Sequence, residues 1–224
     1  MSGVQVHAVV SDAGWLTLRH ELKLAHDALR PLVHTLHDAA HLGAAPASGS
    51  FRCDGMVVAP CSMRTLAAIA HGLSDNLITR TADVMLKERR RLVLMTRETP
   101  LHLGHLRNMV SATEMGAIVC PPMPAFYLRP QTIDDIVDGS VARVLDLLDA
   151  GDGADLVKRL VRKAVGRSRV GAPHLAAFAQ THHAKRRACL VAAADHVQVA
   201  HLEDAQWHPA AREQHRLQRK QRQL

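Results

Sequence analysis

Three stretches decide how this chain folds: residues 55–65, GMVVAPCSMRT; residues 91–100, RLVLMTRETP; and residues 116–127, GAIVCPPMPAFY. Each carries a short aliphatic run and then breaks into prolines, hydroxyls or charge. Continuous apolar runs of that length mark strands covered on both faces, as in a parallel sheet. The strands read as Gly55–Pro60, cut by Pro60, then Leu92–Thr96, then Ala117–Cys120, stopped by Pro121 and Pro122. Helical rhythms lie between them, at Met63–His71, Asn76–Arg90 and Leu103–Gly116, the last ended by glycine. Upstream, Val4–Ser11 (VQVHAVVS) reads as a strand. Asp12–Arg30 reads as a helix carrying Leu16, Leu18, Leu22, Leu24 and Leu29 until Pro31. Downstream, Ile133–Leu148 is a long amphipathic helix. Alternating strands and helices predict βαβ units in a doubly wound parallel α/β sheet.

Composition narrows the class. Of 224 residues, 47% are hydrophobic but only 3% aromatic, so the core is aliphatic. No apolar run approaches the ~20 residues of a membrane span, and no signal peptide is legible. Cys53, Cys61, Cys120 and Cys189 form no CxxC pair, which fits a reducing cytoplasm and neither a zinc site nor a disulfide frame. Charge is uneven. Residues 1–150 hold 14 basic and 15 acidic side chains, a net −1, and residues 151–224 hold 14 and 6, a net +8. The predicted organisation is a ligand-binding α/β domain over 1–150 and a basic extension over 151–224, helical or disordered, with Leu156–Val165 as a candidate helix. The extension has no aromatic interleaving and no nucleic-acid fold signature, so its charge reads as solvation.

In open α/β sheets, ligands bind beyond the carboxyl ends of the strands. Those ends are Ser11; Cys61-Ser62-Met63-Arg64-Thr65; Arg97-Glu98-Thr99-Pro100; and Pro121 to Tyr127. Ser62 and Thr65 at a helix start suit an anion. Arg97 offers a planar fork for phosphate or a carbonyl, and Lys87, Arg80 and Arg143 add positive charge. Glu98 beside Arg97 is a candidate acid or base, and Tyr127 a hydroxyl donor. His34, His37 and His41 stand at helical spacing and invite a metal reading. In a chain with 16 histidines, chance spacing is the simpler account. Cys61 reads as a small packed thiol, and Glu88 to Arg91 as a surface charge run.

The two blocks PCSMRTLAAIAHGLSDNLITRTADVMLKERRRLVLMTRETPLHLGHLRNM and GAIVCPPMPAFYLRPQTIDDIVDGSVARVLD resemble the flavin prenyltransferases, formerly 3-polyprenyl-4-hydroxybenzoate decarboxylases. The likeness spans roughly residues 4–148. It implies a flavodoxin/Rossmann-like three-layer fold. It implies reduced FMN and dimethylallyl phosphate as substrates, with the prenyl group joined to flavin N5 and then C6. It implies no metal, a homo-oligomer, and a product handed to a partner decarboxylase, often in ubiquinone synthesis. By motif, Ser11, Ser62, Met63, Arg64, Thr65 and Arg97 would contact FMN, and Arg80 a flavin phosphate, across a subunit contact. Lys87, Tyr127 and Arg143 would hold the prenyl phosphate and meet its departing charge. Glu98 would be the acid/base residue, Lys87 would also act in catalysis, and Glu21, in LTLRHEL, falls where the family has a second functional glutamate.

The sequence departs from that family in two ways. Family members begin with a strand and a GASG-type loop ahead of the strand that starts here at Val4. The expectation is therefore a sheet without its central strand, with two exposed edges, and weakened FMN binding. Leu160 stands about where the family carries a tryptophan. Two rival readings stay open: a non-catalytic or decayed FMN-binding remnant, and a flavin-dependent cysteine decarboxylase on the same fold. The Cys61–Thr65 turn followed by Arg97-Glu98-Thr99-Pro100 speaks against the second.

Overall fold

The structure is a computed structural model that describes residues 4–26, 28–148 and 186–193. It contains β1 (Val4–Val10), α1 (Asp12–Leu22), β2 (Thr35–Asp38), β3 (Gly55–Cys61), α2 (Met63–Ala70), α3 (Leu77–Lys87), β4 (Arg91–Thr96), α4 (Leu103–Glu114), β5 (Ile118–Val119), α5 (Ile133–Leu148) and β6 (Arg186–Ala193). The strands form one six-stranded sheet in the order β2-β1-β6-β3-β4-β5. Every pairing is parallel, as the alternating pattern predicts.

Strand composition explains the two-faced burial. In β3, Met56 and Val58 join the core beneath α2, α3 and α4, with Leu66, Ile69, Leu77, Ile78 and Met85. Val57 and Ala59 face the opposite layer and pack with Val141, Val144, Leu145 and Leu148 of α5. β4 repeats the alternation, Leu92 and Leu94 to one side, Val93 and Met95 to the other. A third cluster seats α1 through Trp15 and Leu18 against Val10. Each fully buried Val, Leu, Ile or Met among them contributes about 1.5–3 kcal/mol.

Several sequence expectations need correction. β3 runs through Pro60 to Cys61. The ladder steps from Val58–Leu94 to Cys61–Thr96, so Pro60 sits in an irregularity where no N–H is needed. The helix expected over Asp12–Arg30 stops at Leu22, because Lys23 turns to the left-handed region at φ 54° and its N–H closes on the Leu18 carbonyl. His34 and His37 do not share a helix: Thr35–Asp38 is an edge strand beside β1. His37 instead hydrogen-bonds buried His7 across the pair at 3.0 Å, with the rings stacked 5.3 Å apart. Burial lowers the His37 pKa, and nearby His41 lowers it further.

The largest correction concerns the sheet's centre. No gap with two bare edges lies between β1 and β3. Arg186–Ala193 fills it, pairing with β1 from Val4–Arg186 to Val10–Ala192 and with β3 from Gly55–Ala188 to Cys61–Ala193. Residues 186–193 are therefore strand, not helix or a disordered appendage. After Arg187 the run ACLVAA is wholly apolar, which suits a strand flanked on both sides and covered on both faces. The helix expected at 156–165, the tail 211–224 and Leu160 lie outside the described residues.

Candidate active site

Parallel strands bring their carboxyl ends to one edge, and the helices that follow begin there. Ser11 caps α1 by accepting from the Gly14 N–H at 3.1 Å. Ser62 caps α2 by accepting from the Thr65 N–H at 3.1 Å, and its hydroxyl lies 3.2 Å from the Thr65 hydroxyl. β6 separates β1 from β3, so the two caps stand about two strand spacings, roughly 10 Å, apart. Both helix starts direct N–H groups and partial positive charge at the same crevice. In the next row, Thr96 lies level with Cys61. The Thr96 hydroxyl is buried and has no partner among the described residues. Arg97 and Glu98 follow at once and are exposed. Glu98 Oε1 accepts from the Thr99 N–H at 2.9 Å.

Beside that row, a cavity of about 540 Å³ opens between the end of β4, the proline-rich segment after β5, and α5. Its walls include Met95, Cys120, the run Pro121 to Pro124, Ile136, Tyr127 and Arg143. Tyr127 projects on a 3₁₀ turn over Phe126–Leu128 and is 84% exposed. Arg129 follows in the left-handed region, at φ 52°, and also lines the cavity. The α5 end of the wall is held by a reciprocal cap. Thr132 Oγ1 accepts from the Asp135 N–H at 3.1 Å, and Asp135 accepts from the N–H groups of Thr132 and Gln131 at 2.9 Å each. Those donors hold the Asp135 carboxyl below its usual range. Burial pushes the Cys120 thiol up, while the Arg143 guanidinium pulls it back down. Arg143 therefore acts on the cavity floor although its own position is exposed.

Some residues singled out in the sequence gather here, and others do not. Ser11, Ser62, Met63, Thr65, Arg97, Glu98, Tyr127 and Arg143 lie along the carboxyl edge. Arg64 is turned outward and pairs with Asp75. Arg80 is held midway along α3 by the Ala47 carbonyl at 3.2 Å and Asp83 at 2.9 Å. Lys87 ends α3 and pairs with Glu88. It lies at the amino-terminal edge, separated from Arg97 by the length of β4, about 20 Å. Glu21 sits in the last turn of α1, exposed, about 15 Å along the helix from Ser11. Within one chain, Lys87 and Glu21 do not reach the cavity. Arg129 and Thr96 were missed. Arg129 was legible as a charge in the proline-rich loop beside Tyr127. Thr96 reads as an ordinary strand residue until its burial is known. Among the described residues no group of three or more His, Cys, Asp or Glu side chains is arranged to hold a metal ion, and no helix is long and apolar enough to cross a membrane.

Residues 1–151 match the Flavoprotein family. Flavin prenyltransferase UbiX of Neisseria meningitidis is 55% identical over 154 residues, covering 68% of this chain and 82% of that one. The chain belongs to the flavin prenyltransferase family. The Escherichia coli K12 flavin prenyltransferase UbiX is 50% identical over 146 residues, 65% of this chain and 77% of its own length. Among solved structures, AnUbiX (PadA1) in complex with FMN and dimethylallyl pyrophosphate superposes with a TM-score of 0.64 at 42% identity, covering 69% of this chain and 96% of that one. A dodecameric FMN-dependent UbiX-like decarboxylase from Escherichia coli O157:H7 gives 0.65 at 48% identity, over 66% and 81%. The family match over residues 1–151 takes in the cavity and both serine caps.

Proposed function

We propose that this protein joins a dimethylallyl group, delivered as its phosphate ester, to reduced FMN, and that the cavity beside β4 is where the prenyl donor sits. The observation that carries this reading is the cavity's division of labour. Met95, Ile136 and the prolines make an apolar wall for a five-carbon chain, while Arg143, Arg129 and Tyr127 stand where a phosphate can be met. FMN fits the adjoining row: the buried Thr96 hydroxyl lacks a partner there, and two helix starts offer N–H groups to a phosphate. Arg97, exposed directly after β4, meets a flavin carbonyl in this reading.

In the reaction the C–O bond of the ester breaks and phosphate leaves with the electron pair. The allylic carbon bonds to N5, which gives up its proton. Ring closure at C6 then takes up one proton on the prenyl chain and releases one from C6, so no net redox change occurs. Arg143, Arg129 and Tyr127 meet the charge developing on phosphate. Glu98 carries protons, and the apolar wall keeps water from the allylic cation.

Lys87 joins the site in this reading from a neighbouring copy, since its own cavity lies about 20 Å away; the dodecameric neighbour supports such an assembly. Arg80 and Glu21 belong to the same contact. The residues needed are those of 1–150 together with β6, and the prenylated flavin passes to a partner decarboxylase in the cytoplasm. The test is an anaerobic incubation of the full chain with reduced FMN and either dimethylallyl phosphate or pyrophosphate, followed by mass spectrometry of the flavin. A flavin heavier by one prenyl unit is expected. Unmodified flavin with both donors, in a protein that binds FMN, sinks the proposal.

A further inference from the structure

Counting β6 first changes what the sheet is. The order β2-β1-β6-β3-β4-β5 becomes 3-2-1-4-5-6, the doubly wound order in which a ligand sits where the strand sequence reverses. That reversal falls between β6 and β3. At its carboxyl end, Ala193 of β6 lies level with Cys61, which lies level with Thr96. On the other side Ala192 lies level with Val10, directly before the Ser11 cap. The end of β6 is therefore bracketed by both capping serines, and the partnerless Thr96 hydroxyl closes the same row.

The geometry points to a permuted flavin site. The strand drawn from the basic extension, Arg186–Ala193, serves as the sheet's first strand, and its carboxyl end forms the floor of the crevice that takes flavin mononucleotide. Identifying the ligand as a flavin rests on the function proposed above; the place of the strand does not. The strand earns its position by ladder on both sides: among the described residues β1 and β3 have no ladder with each other and each pairs with it, so each would otherwise present a bare edge. Residues 186–193 are then part of the binding unit.

Hydrogen exchange on the full chain, with and without FMN, tests this. Amides 187–193 should exchange within about tenfold of those in 56–58 and 92–95, and at least about 100-fold more slowly than an unstructured peptide. FMN should slow residues 191–193 further. Exchange at the unstructured rate overturns the inference. So does an FMN-binding protein in which FMN leaves these amides unchanged. Slow exchange in a protein that binds no FMN refutes the flavin reading and leaves the strand in place. As a second arm, Leu190 lies level with both Ala8 and Val57, so Leu190→Pro removes a ladder donor at the centre. It should weaken FMN binding at least about tenfold, as a ladder break beside the switch point requires, while Leu190→Val binds as the parent does. A Leu190→Pro protein with parental affinity overturns the inference.

Discussion

Arg143→Ala separates the chemistry proposed for the cavity from its architecture. Arg143 projects from α5 between buried Val141 and Val144 and is itself exposed, so its truncation leaves the helix's core face intact. What it removes is a fixed cation at the mouth of the cavity, and two quantities should move. The first is turnover: loss of one preorganised donor to a developing anion costs about 2–4 kcal/mol, or roughly 30- to 1,000-fold in rate. The second is independent of flavin. Arg143 favours the thiolate of Cys120 against the push of burial, so its removal raises the Cys120 pKa. Thiol alkylation measured against pH should then shift to higher pH, while the alkylation of unfolded protein stays where it was. Single-turnover prenylation under anaerobic conditions, with the alkylation profile alongside, gives both numbers. A rate within about threefold of the parent, under 1 kcal/mol, together with an unmoved Cys120 profile would refute the placement of Arg143 at the cavity. A shifted thiol with unchanged turnover would refute its role toward phosphate alone.

Lys87→Ala should be as damaging as Arg143→Ala. If Lys87 serves a neighbouring copy, mixed assemblies of the two variants should regain about a quarter of parental activity, from sites that pair an intact Lys87 with an intact Arg143; no recovery places both in one chain's site. Tyr127→Phe should fold normally, because the ring is 84% exposed, yet lower kcat/KM for the prenyl donor by about tenfold, the worth of one charge-assisted hydrogen bond. Thr132→Ala removes the α5 cap and should cost about 1 kcal/mol in urea unfolding. His37 has a folded pKa below 6.5, so the unfolded chain takes up that proton first. Stability should fall as pH drops from 6.5 toward the folded value and level off beneath it; in urea titrations between about pH 7.5 and pH 5.5, His37→Gln should flatten that slope.

The readable parts of this chain were those where one local rule acted alone. Ile133–Leu148 shows as a helix because its apolar residues recur at helical spacing and Thr132 with Asp135 starts it. β4 shows because LVLM carries no competing period. Trouble began where tertiary context outvoted local pattern. Thr35–Asp38 holds a threonine, a histidine and an aspartate around a single leucine and looks like nothing until β1 supplies a ladder. The apolar rhythm from Asp12 runs on through Leu24 and Leu29, which join the cluster around Val10 and Trp15 from non-helical backbone after Lys23 reverses the chain. Site residues followed the same division. Those that directly follow strands, such as Ser62 and Arg97, were placed by topology. Lys87 and Glu21 lie at the far ends of helices, and a motif in one dimension does not say which edge a helix end occupies.

The hardest element to read was β6, and the reason is physical. A central parallel strand needs only a few apolar residues and two partners, and nothing within ACLVAA says where those partners are. Its partners are more than 125 residues away in sequence, and around it the extension is rich in Ala, Arg, His and Gln. The family resemblance sets its first strand ahead of the one that starts here at Val4, whereas strand order alone is indifferent to which part of a chain supplies a strand. A sheet of this kind specifies a slot between β1 and β3, not the end of the chain that fills it, and the crevice chemistry at Ser11, Ser62 and Thr96 depends on the slot being filled. A segment that looked like an appendage by composition thus becomes, by pairing, the strand on which the flavin site depends.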